Sequence, residues 1–159
     1  MKKGILLGLA LALMVLGTAI QSSAQEGPVI DKVFVTPQIN HGELLKIYVI
    51  GHSNADMRWV QVSGGKGKGG ISGGVTRLKK ADRRNLNGYL YWDTGKAVEK
   101  DVTGTIEITL VDRQGRESET ASVTLKIRRS GVTVQAPPSE FKEKEIGPVM
   151  IDPVDLTTH

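Results

Sequence analysis

Thr103-Gly104-Thr105-Ile106-Glu107-Ile108-Thr109-Leu110-Val111-Asp112 is followed, after Arg113-Gln114-Gly115, by Thr120-Ala121-Ser122-Val123-Thr124-Leu125-Lys126-Ile127-Arg128. Both runs alternate with a period of two, which sends successive side chains to opposite faces of a strand. Ile106, Ile108 and Leu110 share one face of the first run, and Thr105, Glu107 and Thr109 the other. Ala121, Val123, Leu125 and Ile127 answer in register on the second. Asp112-Arg113-Gln114-Gly115 has turn chemistry, with glycine where a positive φ is expected. The pair predicts a β-hairpin with one apolar and one polar face.

The same alternation extends outward from this hairpin. Residues 29–36 form a run that stops at Pro37, and residues 43–52 place Leu45, Ile47 and Val49 opposite Lys46, Tyr48 and Ile50. Residues 57–63 set Val60 and Val62 against Trp59 and Gln61. In residues 88–92, alternation separates Tyr89 and Tyr91 from Leu90 and Trp92, so one of these pairs faces a core. Residues 78–87 are polar and support at most a helical turn, and no segment after residue 24 sustains a helical period. An all-β chain of about seven half-buried strands is expected to form two packed antiparallel sheets.

These strands carry a resemblance. Ile30-x-x-Val33-x-Val35-x-Pro37, Gly42-x-x-Leu45-x-Ile47-x-Val49 and Met57-x-x-Val60-x-Val62 are followed by Gly104-Thr105-Ile106-x-Ile108-x-Leu110-x-Asp112-x-x-Gly115 and Ala121-x-Val123-x-Leu125-x-Ile127. The pattern resembles bacterial immunoglobulin-like and fibronectin-type-III-like domains of exported proteins. That resemblance implies a single immunoglobulin-like β-sandwich over residues 25–129. It implies binding, spacing or adhesion rather than catalysis, and it offers no shared active site. Ile106 stands where such domains often carry Tyr, and residues 64–87 are longer and more basic than the usual connection.

The beginning of the chain reads as an address. Lys2-Lys3, an uncharged run over residues 4–20 and Ser22-Ser23-Ala24 are the three parts of a secretory signal peptide. The run falls short of the roughly 20 residues that a spanning helix needs. Cleavage after Ala24 is expected, leaving an exported chain, periplasmic or extracellular, with no membrane span. The sequence has no Cys, which excludes a lipid-accepting thiol, disulfides and thiol chemistry.

Two of the 21 Lys and Arg residues lie in that leader, so the formal charge of +4 overstates the basicity of what remains. The remaining excess is local: Lys66, Lys68, Arg77, Lys79, Lys80, Arg83 and Arg84 face only Asp82. The glycine-rich residues 64–74 lack the Gly-x-x-x-x-Gly-Lys-Ser/Thr spacing of a phosphate loop and read as a flexible connection. These seven cations, with Tyr91 as a stacking group, are the candidate ligand-binding residues for a carbohydrate or polyanion. Nucleic acid is not expected.

His52-Ser53 and Asp56 include triad residue types, but neighbours in sequence seldom reach each other in triad geometry. No catalytic residue, metal or cofactor is assigned, and an enzyme with an unrecognised site ranks last. The leading expectation is a non-enzymatic protein-binding or structural module of the cell envelope, its partner another envelope or extracellular protein. Residues 130–159 read as a linker and extended tail with Pro137-Pro138, Pro148 and Pro153. Ile146, Val149, Ile151 and Leu156 are more apolar than a solvated tail requires. They suit an extended edge segment added to a partner, where main-chain bonds give affinity. A disordered end and docking back onto the sandwich are the alternatives.

Overall fold

The computed structural model describes residues 26–64, 73–93 and 101–150. The expected leader, Lys66, Lys68, Ile151 and Leu156 lie outside them. Among the described residues, nine strands run in chain order: β1 (Val29–Val35), β2 (Gln38–Asn40), β3 (Leu44–His52), β4 (Met57–Gly64), β5 (Gly74–Arg77), β6 (Asn85–Asp93), β7 (Val102–Asp112), β8 (Ala121–Arg128) and β9 (Glu145–Pro148). A 3-10 turn at Lys80–Asp82 is the helical turn that residues 78–87 allowed. The strands form two sheets of a sandwich, one ordered β1-β3-β6-β9 and the other β2-β8-β7-β4-β5. Pairing is antiparallel except for two short edge strands, β2 beside β8 and β9 beside β6.

The expected β7–β8 hairpin forms, with Ile106 opposite Val123 and Gly104 opposite Leu125, and Gly115 at φ 77° in the turn. Its inward face joins that of β3 and β4: Leu45, Ile47, Val60, Val62, Ile106, Ile108 and Leu110 are completely buried. Leu90 and Trp92 are the β6 pair that enters the core. Leu110→Ala and Leu125→Ala are each expected to cost about 2–5 kcal/mol in urea titration, the range for truncating a packed core leucine. Losses below about 0.5 kcal/mol at both would mean that the inward face is misassigned.

Three stretches depart from the expected pattern. Gly74–Arg77, expected to be part of a connection, is strand β5, with Gly74 opposite Val62 and Arg77 opposite Trp59. Tyr48, on the outward side of β3, is buried among Phe34, Tyr89 and Phe141. The third departure explains the second. After β8 the chain crosses the outer face of the four-stranded sheet as a strap. Asn40 bonds Val132, Thr36 Oγ1 accepts from Gln135, and Asn87 bonds Glu140 and Lys142.

The strap ends in β9, beyond the boundary expected at residue 129. The Lys144 carbonyl accepts from Tyr89 N–H at 2.8 Å, and Val149 N–H donates to Tyr91 at 2.9 Å. Met150 and Val75 exchange backbone bonds at 2.8 and 3.0 Å, so the segment touches an edge of each sheet. Ile146 and Val149 are 2% and 8% exposed within the core. These two side chains, expected to meet a partner, dock instead on their own sandwich. Gly88 permits this approach, because a Cβ there would collide with the Lys144 carbonyl and with Ile146.

Candidate functional site

Strand β4 begins with a register shift between Met57 and Trp59 where it pairs with β7. Arg58 sits in this irregularity, and its guanidinium lies 4.3 Å from the centroid of the Trp59 ring, within cation–π range. Directly opposed residues on neighbouring strands share a face, so Arg77 stands beside Trp59 on the outer side of the five-stranded sheet. Backbone bonds then gather the following loop at the same end of the sandwich. Leu78 N–H donates to Arg58 at 3.0 Å, Met57 N–H to Arg83 at 2.7 Å, and Arg113 N–H to Asp56 at 3.1 Å.

The result is a basic corner formed by Arg58, Arg77, Lys79, Lys80 and Arg113, all exposed. None of the five has a carboxylate partner among the described residues. The other members of the predicted run have structural tasks. Arg84 pairs with Asp56 at 3.1 Å, and the half-buried Arg83 donates to the Leu78 carbonyl at 3.4 Å. Asp82, the one acid of the run, is buried and accepts from Lys144 of the strap. Lys66 and Lys68 fall outside the described residues. Tyr91 is not part of the corner: with Leu90 and Trp92 turned inward, it lies half-buried on the outer face of the opposite sheet. Arg58 and Arg113 are not in the predicted set. Each is an isolated cation in its strand or turn, and strand pairing alone brings them to residues 77–80.

A second feature lies under the strap. A groove of about 310 Å³ is lined by Phe34, Leu44, Tyr48, Val134, Pro137 and Glu143. The Tyr48 hydroxyl donates to Glu143 at 2.5 Å, and Lys46 pairs with the same carboxylate at 3.0 Å while lying 4.3 Å from the Tyr89 ring. Burial, then the bond to Glu143, pushes the pKa of the Tyr48 hydroxyl up to about 12. The hydrogen bond to Glu143 raises Lys46. The bonds from Tyr48 and Lys46 hold Glu143 below its ordinary value. None of the three changes charge near neutral pH, so they act as a fixed clasp and not as an acid–base pair.

The triad residue types are dispersed. His52 Nδ1 lies 2.9 Å from Asp31, Ser53 Oγ accepts from Ala55 N–H at 3.2 Å, and Asp56 belongs to Arg84. Among the described residues no three acid or imidazole side chains converge to hold a metal ion. No helix among them is long and apolar enough to cross a membrane.

No family model and no curated protein sequence matches the chain. Among solved structures it is similar to the PKD domain of an M14-like peptidase from a Thermoplasmatales archaeon, at 14% identity and a TM-score of 0.46, covering 66% of this chain and 99% of that one. It is also similar to a Niemann-Pick type C2 protein from Japanese carpenter ant, at 10% identity and a TM-score of 0.43, covering 67% of this chain and 96% of that one.

Proposed function

We propose that this chain is an exported, non-enzymatic binding module of the cell envelope whose ligand surface is the basic corner and whose ligand is a polyanion. The observation that supports this reading is the gathering of Arg58, Arg77, Lys79, Lys80 and Arg113 at one end of the sandwich, without carboxylate partners among the described residues. Like charges held together repel one another, and an acidic ligand relieves that repulsion while its approach is steered by the local field. The rival tail-mediated reading is weakened because Ile146 and Val149 are taken up by the core.

Titration of the purified chain with an anionic polysaccharide over a salt series tests the proposal. Binding is expected to fall steeply with salt as counterions are exchanged. The triple variant Arg77→Glu, Lys79→Glu, Lys80→Glu is expected to lose at least about tenfold in affinity, or 1.4 kcal/mol, with an unchanged melting curve. Salt-independent binding, or binding that survives the triple reversal, refutes the reading.

A second reading rests on the groove under the strap, where Leu44 and Val134 are 58% and 49% exposed. Apolar groups at the rim of a groove suit docking of an envelope protein. Leu44→Glu with Val134→Glu would then abolish capture of that protein and leave polyanion binding intact.

A further inference from the structure

Between the basic corner and the far end of the five-stranded sheet lies an outward face of a different character. Val60, Val62, Ile106, Ile108 and Leu110 point into the core, so alternation turns Trp59, Gln61, Thr105, Glu107 and Thr109 outward. Pairing sets them in rows: Trp59 beside Arg77, Gln61 beside Thr109, and Thr105 beside Thr124. Thr109 Oγ1 meets Thr120 Oγ1 at 3.2 Å, extending the hydroxyl array toward β8. The strip thus presents neutral hydroxyls and an amide, with Val75 beside Gln61, one acid at Glu107, Lys126 beside Thr103 at the far end, and a single indole at the end where the cations gather.

We infer that this strip is a saccharide-binding face, and that the ligand of the corner is a glycan that carries both neutral and carboxylate-bearing sugars. The inference rests on the proposed polyanion reading and narrows it. Sugar hydroxyls both donate and accept, which matches threonine hydroxyls and a glutamine amide. The uronate carboxylate matches the guanidinium groups of Arg58 and Arg77, which recognise planar acids in bidentate fashion. A nucleic-acid strand fits poorly. It carries one charge about every 3.4 Å and draws affinity from a series of stacked aromatics. This face has one tryptophan, already covered by Arg58, and an acid in mid-strip. A uniformly charged polymer meets the same Glu107.

The test is calorimetric titration of the purified chain with three probes of equal length: an alternating uronate–N-acetylhexosamine oligosaccharide, oligogalacturonate and single-stranded DNA. The alternating glycan is expected to bind most tightly. Gln61→Ala combined with Thr109→Val is expected to weaken it about 3–10-fold per lost hydrogen bond, without changing the salt slope. Arg77→Ala is expected to lower that slope by about one. These substitutions fall at half-buried or exposed positions, and dichroism checks that the fold persists. Unaltered affinity in the Gln61/Thr109 variant, with binding still lost on charge reversal at the corner, overturns the saccharide face and leaves the polyanion reading standing. Tighter binding of DNA or oligogalacturonate also overturns it. Failure of all three probes to bind overturns both.

Discussion

Truncation after Ser139 is expected to unfold the protein or remove most of its resistance to urea. The deletion takes away Phe141, Ile146 and Val149, all buried, and leaves the carboxylate of Asp82 in the interior without the ammonium of Lys144. Full burial of each such apolar side chain contributes about 1.5–3 kcal/mol. Three of them together approach the 5–15 kcal/mol or so that holds a typical domain folded. Ile146→Ala isolates the central contact and is expected to cost about 2–5 kcal/mol. Tryptophan fluorescence is a suitable readout, because Trp92 is buried beside the strand that would be lost. A truncated chain with the urea midpoint of the full one would show that β9 is not part of the core.

The second large effect is expected at Asp112, where the β7–β8 hairpin turns. Its carboxylate is 1% exposed. It accepts from Gln114 N–H at 2.8 Å, Arg116 N–H at 2.9 Å and the Arg116 guanidinium at 2.7 Å. Burial pushes this carboxyl up. The bonds from Arg116 and Gln114 outweigh burial and hold it below its ordinary value of 3.8. A depressed folded-state value means that the group contributes stability fully above about pH 4, and that the contribution is lost as pH falls through the folded value. Asp112→Ala removes the shared acceptor of three donors, two of them on the half-buried Arg116, and is expected to cost about 2–4 kcal/mol near neutrality. The stability gap between wild type and Asp112→Asn is expected to shrink as the pH is lowered from 6 to 3. A gap that stays constant or widens on acidification would show that Asp112 is not held as an ionised acceptor.

What is legible in the sequence is whatever repeats. β3, β4, β7 and β8 each contain several periods of alternation, enough to sort inward from outward residues, whereas in β6 alternation separates two pairs without saying which faces the core. Strands of three or four residues contain barely one period, and β2, β5 and β9 escape a sequence reading for that reason. β9 has a further disguise. Ile146 and Val149 are three apart rather than two, and both turn inward because the pairing shifts register between Tyr89 and Leu90. Pro148 suggests an obstacle to pairing. It is tolerated because it occupies the last position of an edge strand, where no ladder donor is required of it. The burial of Tyr48 has no trace in its own strand, since the strap that covers it has no periodic signal. The basic run is visible as composition, but its shape as a site depends on Arg58 and Arg113, which long-range pairing supplies.

The position of β9 bears on how the protein comes into being. A chain that emerges N-terminus first, from a ribosome or through a membrane pore, has made every other strand before residue 145 appears. Tyr89 must wait 56 residues for its partner Glu145. Until then the slot beside β6 stands empty and the rings of Phe34, Tyr48 and Tyr89 lie bare. Pairing so distant along the chain also closes slowly, because the connecting loop must be ordered first. From the completion of β6 until β9 arrives, the nascent chain therefore carries a sticky unfinished edge of the kind that chaperones hold and that misassembles when crowded. The final clasp makes completion of folding coincide with the arrival of the strap.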